Sequence, residues 1–148
     1  MNTLLKWSIV VVVLLCFLQP SSAQSHYYNG SVEQIALNAR TQNKAYFITF
    51  STQWCQPCKR MEQEVFSDPG IKNFSEKFYN SYKVDAELTQ FNLLAMSHNV
   101  KAYPTVIFFD SSGKEILRLE GYTNRDKFLA ILKQYAPAQN NRTITAFR

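Results

Sequence analysis

The most constraining feature of this chain is a pair of cysteines separated by two residues, set where a strand pattern gives way to a helical one. Ala45–Phe50 is a short run of aromatic, β-branched and small residues, the composition of a buried strand. Trp54-Cys55-Gln56-Pro57-Cys58-Lys59 follows, and Met61, Val65 and Phe66 then continue at helical spacing. A cysteine at the start of a helix meets unpaired backbone N–H groups and the positive end of the dipole, which favours its thiolate. Cys55 is therefore the candidate nucleophile. Cys58, one turn on, is the candidate resolving thiol, close enough to release a mixed disulfide from Cys55. Pro57 suits the first turn, where a missing N–H costs little. A purely structural bridge between the two would close too short a loop to add much stability.

The other cysteine, Cys16, lies in a segment with a different character. Residues 1–23 read as a secretory signal: Lys6 gives the positive start, Trp7–Leu18 the apolar core and Ser21-Ser22-Ala23 the cleavage site. The apolar run is shorter than the roughly 20 residues that span a bilayer. Left uncleaved, the same run would anchor the chain to a membrane. A bulky Leu15 before Cys16 argues against lipid attachment. Export with cleavage after Ala23 leaves Cys55 and Cys58 as the sole thiols, so there is no disulfide framework to build. Zinc wants four ligands, and neither His26 nor His98 sits at ligand spacing from the pair; no metal is expected.

Residues 24–30 are polar and aromatic, a lead-in. Ser31 caps a helix running to about Gln42, with Gln34 completing a capping box and Val32, Ile35, Ala36 and Ala39 as its apolar positions. After the dithiol helix, Asp68 and Pro69 start another helical piece carrying Ile71, Phe74 and Phe78. Tyr79–Val84 reads as a strand, and Leu88–His98 as a helix with Leu88, Phe91, Leu94 and Ala95 on one face. Val106–Phe109 is a buried strand, Asp110–Gly113 a turn, and Lys114–Glu120 its hairpin partner, with Ile116-Leu117 breaking strict alternation. Thr123 or Asn124 caps a last helix bearing Phe128, Leu129, Ile131, Leu132 and Tyr135, which Pro137 ends. His98, at a helix end, reads as a surface or capping residue. Residues 137–148 form a polar tail. This order implies an α/β domain over residues 31–136, with a mixed sheet of four to five strands and helices on both faces.

Trp54-Cys55-Gln56-Pro57-Cys58-Lys59, together with a downstream Tyr103-Pro104-Thr105 before an apolar strand, resembles the active-site signature of the thioredoxin superfamily. Cys58, Lys59, Met61, Glu62, Val65, Phe66, Ser67, Asp68, Pro69, Val84, Asp85 and Ala86 are moreover similar to the C-terminal domain of bacterial transmembrane thiol:disulfide interchange proteins and to related exported thioredoxin-like proteins. The resemblance implies a thioredoxin fold and a thiol-disulfide oxidoreductase whose only redox group is a Cys55–Cys58 disulfide, with no other cofactor. It implies that Pro104 is a cis proline against the dithiol and that the backbone of Tyr103 pairs with an extended substrate by strand addition. Trp54 and Thr105 complete the implied substrate-binding set.

Two departures from the family pattern matter. The family's buried carboxylate six residues before the first cysteine is replaced by Thr49, whose hydroxyl is a poor base near neutral pH. Glu62 and Glu64 are the nearby carboxylates in sequence. Gln56-Pro57 also lacks the histidine that strongly oxidising relatives place between the cysteines, so the dithiol should be of the more reducing kind. The implied partners are protein disulfides and an upstream electron donor, such as a membrane thiol:disulfide interchange protein, in the periplasm. A non-catalytic binding or chaperone-like module on the same fold, and a specialised reductant in cytochrome c maturation, are the alternatives. The whole chain carries 16 basic against 11 acidic residues. Their scatter excludes a nucleic-acid footprint, and a monomer is expected.

Overall fold

The computed structural model describes residues 28–137, so the signal and all but the first residue of the tail lie outside the described residues. The elements are α1 (Val32–Gln42), β1 (Ala45–Ser51), α2 (Gln56–Met61), a π-helical stretch (Glu62–Phe66), α3 (Pro69–Phe78), β2 (Tyr79–Asp85), α4 (Thr89–Ser97), β3 (Thr105–Phe109), β4 (Glu115–Glu120) and α5 (Arg125–Gln134). Their order is the one the periodicity implied, and together they form a thioredoxin fold. The four strands make one mixed sheet in the order β2-β1-β3-β4. β1 runs parallel to β2 and antiparallel to β3, and β4 is the antiparallel hairpin partner of β3.

Both central strands are buried along their whole length, so each needs apolar cover on two faces. Alternate residues go to opposite faces. Tyr46, Ile48 and Phe50 join Ile107 and Phe109 under α1 and α4, which contribute Ile35, Ala39, Phe91 and Ala95. Ala45 and Phe47 join Val106 and Phe108 on the other face, against Met61, Val65, Ile71, Phe128 and Leu132. The dithiol helix thus belongs to the second face.

Helix ends follow the capping chemistry in the sequence. Ser31 Oγ accepts the Gln34 N–H at 3.2 Å. The Gln34 side chain donates to Asn38 Oδ1 at 2.7 Å instead of reaching back to Ser31, so the expected capping box is only half made. Asn124, rather than the buried Thr123, caps α5 by accepting from Lys127. Asp110 organises the β3–β4 turn by accepting the N–H groups of Ser112 and Lys114, and Gly113 there takes φ +93, a conformation that favours glycine. The broken alternation at Ile116-Leu117 is a β-bulge: Leu117 pairs with Phe108 and Glu115 with Phe109. Both Ile116 and Leu117 can then pack against the second core.

Leu88 departs from expectation. It is the N-cap of α4 and is 50% exposed, because its extended backbone (φ −72, ψ 133) lies outside the helical periodicity that would have turned it inward. Tyr28, in the lead-in, is firmly placed. Its N–H donates to Lys83 C=O at 2.7 Å along the outer edge of β2, and its ring stands edge-on to Tyr82.

Asp68 gives a testable acid response. Its carboxylate accepts the Ile71 N–H at 3.0 Å and pairs with Arg125 at 3.1 Å, tying the start of α3 to α5. The amide hydrogen bond first, then the guanidinium, hold this carboxyl below the usual carboxylate range. A group whose folded-state titration is lowered stabilises the fold at neutral pH, and that contribution fades as the pH falls below about 4. Asp68→Asn keeps an N-cap acceptor but removes the charge. The Tm difference between wild type and Asp68→Asn, present at pH 7, is expected to shrink as the pH is lowered through this window in thermal melts. A constant difference would show that the charge contributes nothing.

Candidate active site

β1 ends at Ser51, and the chain turns through Thr52, Gln53 and Trp54 into α2. Cys55 occupies the N-cap position with an extended backbone, and its Sγ accepts the Cys58 N–H at 3.2 Å. Cys55 and Cys58 are joined as a disulfide with their Cα atoms 5.3 Å apart. Both residues are more than nine-tenths buried, whereas Trp54 beside them is 65% exposed. A bulky exposed indole next to buried sulfurs is a wall against which an incoming chain can lie.

The approach loop is fixed from the end of β2. Ala86 N–H donates to Ser51 C=O at 2.9 Å, extending the β1–β2 pairing past the strand ends. The buried Asp85 carboxylate accepts the Gln53 amide at 3.3 Å and the Glu87 N–H at 3.0 Å. Glu87 in turn accepts the Trp54 Nε1–H at 3.0 Å. Asp85 and Glu87 therefore set the pose of the loop and of the indole. Asp85 belongs to the stretch that carries the family likeness, but its role is visible only once β2 lies beside β1.

Strand register brings the second motif to the same end of the sheet. Phe50 pairs with Thr105, so Pro104 lies beyond the last paired residue, alongside the exit of β1 toward the dithiol. The Tyr103–Pro104 peptide is cis. The Tyr103 ring meets the Trp54 ring edge-on, with centroids 6.2 Å apart. Pro104 C=O accepts the N–H of Gly121, which sits at φ +79 just after β4, and Thr105 Oγ1 donates to Ala102 C=O at 2.8 Å. Trp54, Cys55, Cys58, Tyr103, Pro104 and Thr105 are thus gathered at one edge of the molecule.

A second group of contacts braces the dithiol helix through Tyr122, the residue after Gly121. Tyr122 OH donates to Glu64, Arg60 Nε donates to the same carboxylate at 3.0 Å, and the Arg60 guanidinium lies 4.4 Å from the centre of the Tyr122 ring. The Tyr122 hydrogen bond, then that of Arg60, hold the Glu64 carboxyl below its usual range. The sequence offered no sign of this triad, whose members meet across 58 residues of chain.

Thr49 is buried, and in register it lies opposite Lys83 on β2 and Val106 on β3. Lys83 Nζ donates to Glu62 Oε2 at 3.0 Å, and the two side chains are only 19% and 25% exposed. His98 lies at the opposite end of β3, edge-on to Phe109 and 3.7 Å from Glu115. It has no place at the dithiol.

A model of the thioredoxin-like domain family matches residues 32–136. The thiol:disulfide interchange protein DsbD of Tatumella citrea is 35% identical over 99 residues, 65% of this chain and 17% of that protein. DsbD of Campylobacter jejuni is 32% identical over 109 residues, 72% of this chain and 19% of that protein. The chain spans less than a fifth of the length of these curated relatives. Among solved structures, a thioredoxin from Thermus thermophilus superposes with a TM-score of 0.64 at 26% identity, covering 70% of this chain and 82% of that one. The C-terminal domain of Neisseria meningitidis DsbD in its reduced form gives 0.58 at 21% identity, covering 70% and 92%, a likeness of fold.

Proposed function

We propose that this chain, which belongs to the thioredoxin-like domain family, is an exported thiol-disulfide oxidoreductase that reduces protein disulfides. Cys55 attacks the substrate disulfide and Cys58 resolves the mixed disulfide. Trp54, Tyr103, Pro104 and Thr105 hold the substrate chain, with the Tyr103 backbone offered for strand addition. The observation that carries this reading is the meeting of the Cys55–Cys58 disulfide with Trp54 and the Tyr103–Pro104 segment at one sheet end. The family likeness to thiol:disulfide interchange proteins supports it. A membrane protein of that kind is the proposed electron donor, and the apolar segment at residues 7–18 is the proposed export signal.

The reducing direction rests on Gln56-Pro57, which offers no cation between the cysteines to stabilise the Cys55 thiolate. Weaker thiolate stabilisation disfavours the reduced form and makes the dithiol a better electron donor. Equilibration of the Cys55–Cys58 pair with glutathione buffers tests this. The expected potential lies toward the thioredoxin value of about −270 mV, and a value near −120 mV, typical of strong oxidants, would reverse the direction.

A further inference from the structure

Resolution by Cys58 needs a proton acceptor. Thr49, the buried residue where the family's carboxylate would stand, offers only a hydroxyl. Each described carboxylate near the dithiol holds a partner, Glu62 included, so position relative to Cys58 decides between them. Asp85 and Glu87 hold Gln53 and Trp54, and Glu64 is shared by Arg60 and Tyr122. Glu62 lies one turn beyond Cys58, and its backbone N–H donates to Cys58 C=O, so the helical turn between them is intact. Residues four apart on a helix present their side chains to the same side, with Cβ atoms about 5–6 Å apart. Lys83 reaches Glu62 from β2, at the position whose register partner is Thr49. The ion pair therefore lies on the sheet face that carries the dithiol helix.

Resting on the redox reading above, we infer that Glu62, held by Lys83, takes the proton from Cys58 during resolution. With Cys55 carrying the substrate as a mixed disulfide, the Cys58 thiol passes its proton to the Glu62 carboxylate, directly or through one water. The Cys58 sulfur then attacks Cys55 Sγ. The Cys55–Cys58 bond forms, the bond from Cys55 to the substrate sulfur breaks, and its electron pair leaves on that sulfur, which is reprotonated by Glu62 or solvent. Two electrons have then passed from the dithiol to the substrate disulfide. Lys83 is a positioning residue in this scheme, the ionisable group facing Glu62 from β2. Cys58, four residues before Glu62, lies on the same side of its own helix.

The test is a single turnover of the full chain, reduced with dithiothreitol, freed of it and mixed with insulin. Acid quenching and mass spectrometry follow the Cys55 mixed disulfide. In Glu62→Gln its formation should stay within about twofold of wild type, while its lifetime at pH 7 lengthens by about tenfold or more, the lower range for loss of a general base. At pH 9.5 hydroxide is available as an alternative proton acceptor, and the gap should narrow to about twofold. Lys83→Met should lengthen the same lifetime without slowing the first step. An unchanged lifetime in Glu62→Gln, or equal slowing of both steps at every pH, would overturn the assignment to Glu62 alone. If the wild type forms no mixed disulfide, the redox reading itself falls.

Discussion

Replacing Cys55 with Ser should abolish insulin reduction, whereas replacing Cys58 with Ser should stop turnover but leave a covalent substrate adduct on Cys55. The asymmetry follows from the two positions. Cys55 is the N-cap of α2 and Cys58 lies one turn inside it. A serine hydroxyl does not ionise near neutral pH and cannot attack a disulfide, so Cys55→Ser loses the first step entirely. Cys58→Ser keeps the first step and loses the sulfur that would release the substrate. Non-reducing gels with mass spectrometry of the trapped species check this. Adducts on Cys58 in the Cys55→Ser protein would reverse the assigned roles. Activity surviving in the double Cys55→Ser/Cys58→Ser protein would favour a binding module over an oxidoreductase.

The second large effect is on stability. Phe108→Ala should destabilise the domain by about 3–5 kcal/mol, the usual cost of emptying a buried phenylalanine site. Phe108 is completely buried in β3. Its ring lies 5.1 Å from that of Phe47, 5.9 Å from Tyr79 and 6.1 Å from Phe128, so its loss opens a cavity lined by residues of two other strands and α5. A domain of this size is stable by only about 5–15 kcal/mol in total, so the change removes a large share of the margin. Urea unfolding followed by circular dichroism should show a lower midpoint with an unchanged slope. A shift corresponding to less than about 1 kcal/mol would mean that the neighbouring rings collapse into the space. Such a collapse would be surprising where α5 and β1 are each held by other buried contacts.

Much of the fold was legible because it is written locally. Ser31 with Gln34, Asp68 with Pro69, and Asp110 with Gly113 each satisfy backbone groups within four residues, so their sequence signature and their structure are nearly the same fact. The dithiol is equally local. Leu88 shows the limit of periodicity, since its apolar character is right for the helix face and its backbone is not. The adjacent residues Ile116 and Leu117 show the opposite case, an irregular pattern that a bulge accommodates.

By itself, then, the sequence determined a Cys-x-x-Cys at the mouth of a helix, the order of strands and helices around it, and the motif at Tyr103-Pro104-Thr105. Only the tertiary structure decided which residues meet. Trp54 reaches Tyr103 because Phe50 and Thr105 share a register, and Glu62 reaches Lys83 because β2 lies parallel to β1 on the side of the dithiol helix. Hydrophobic pattern reports whether a side chain is buried. It carries no label for the partner across the sheet, because burial is non-directional while hydrogen bonds and ion pairs depend on distance and orientation.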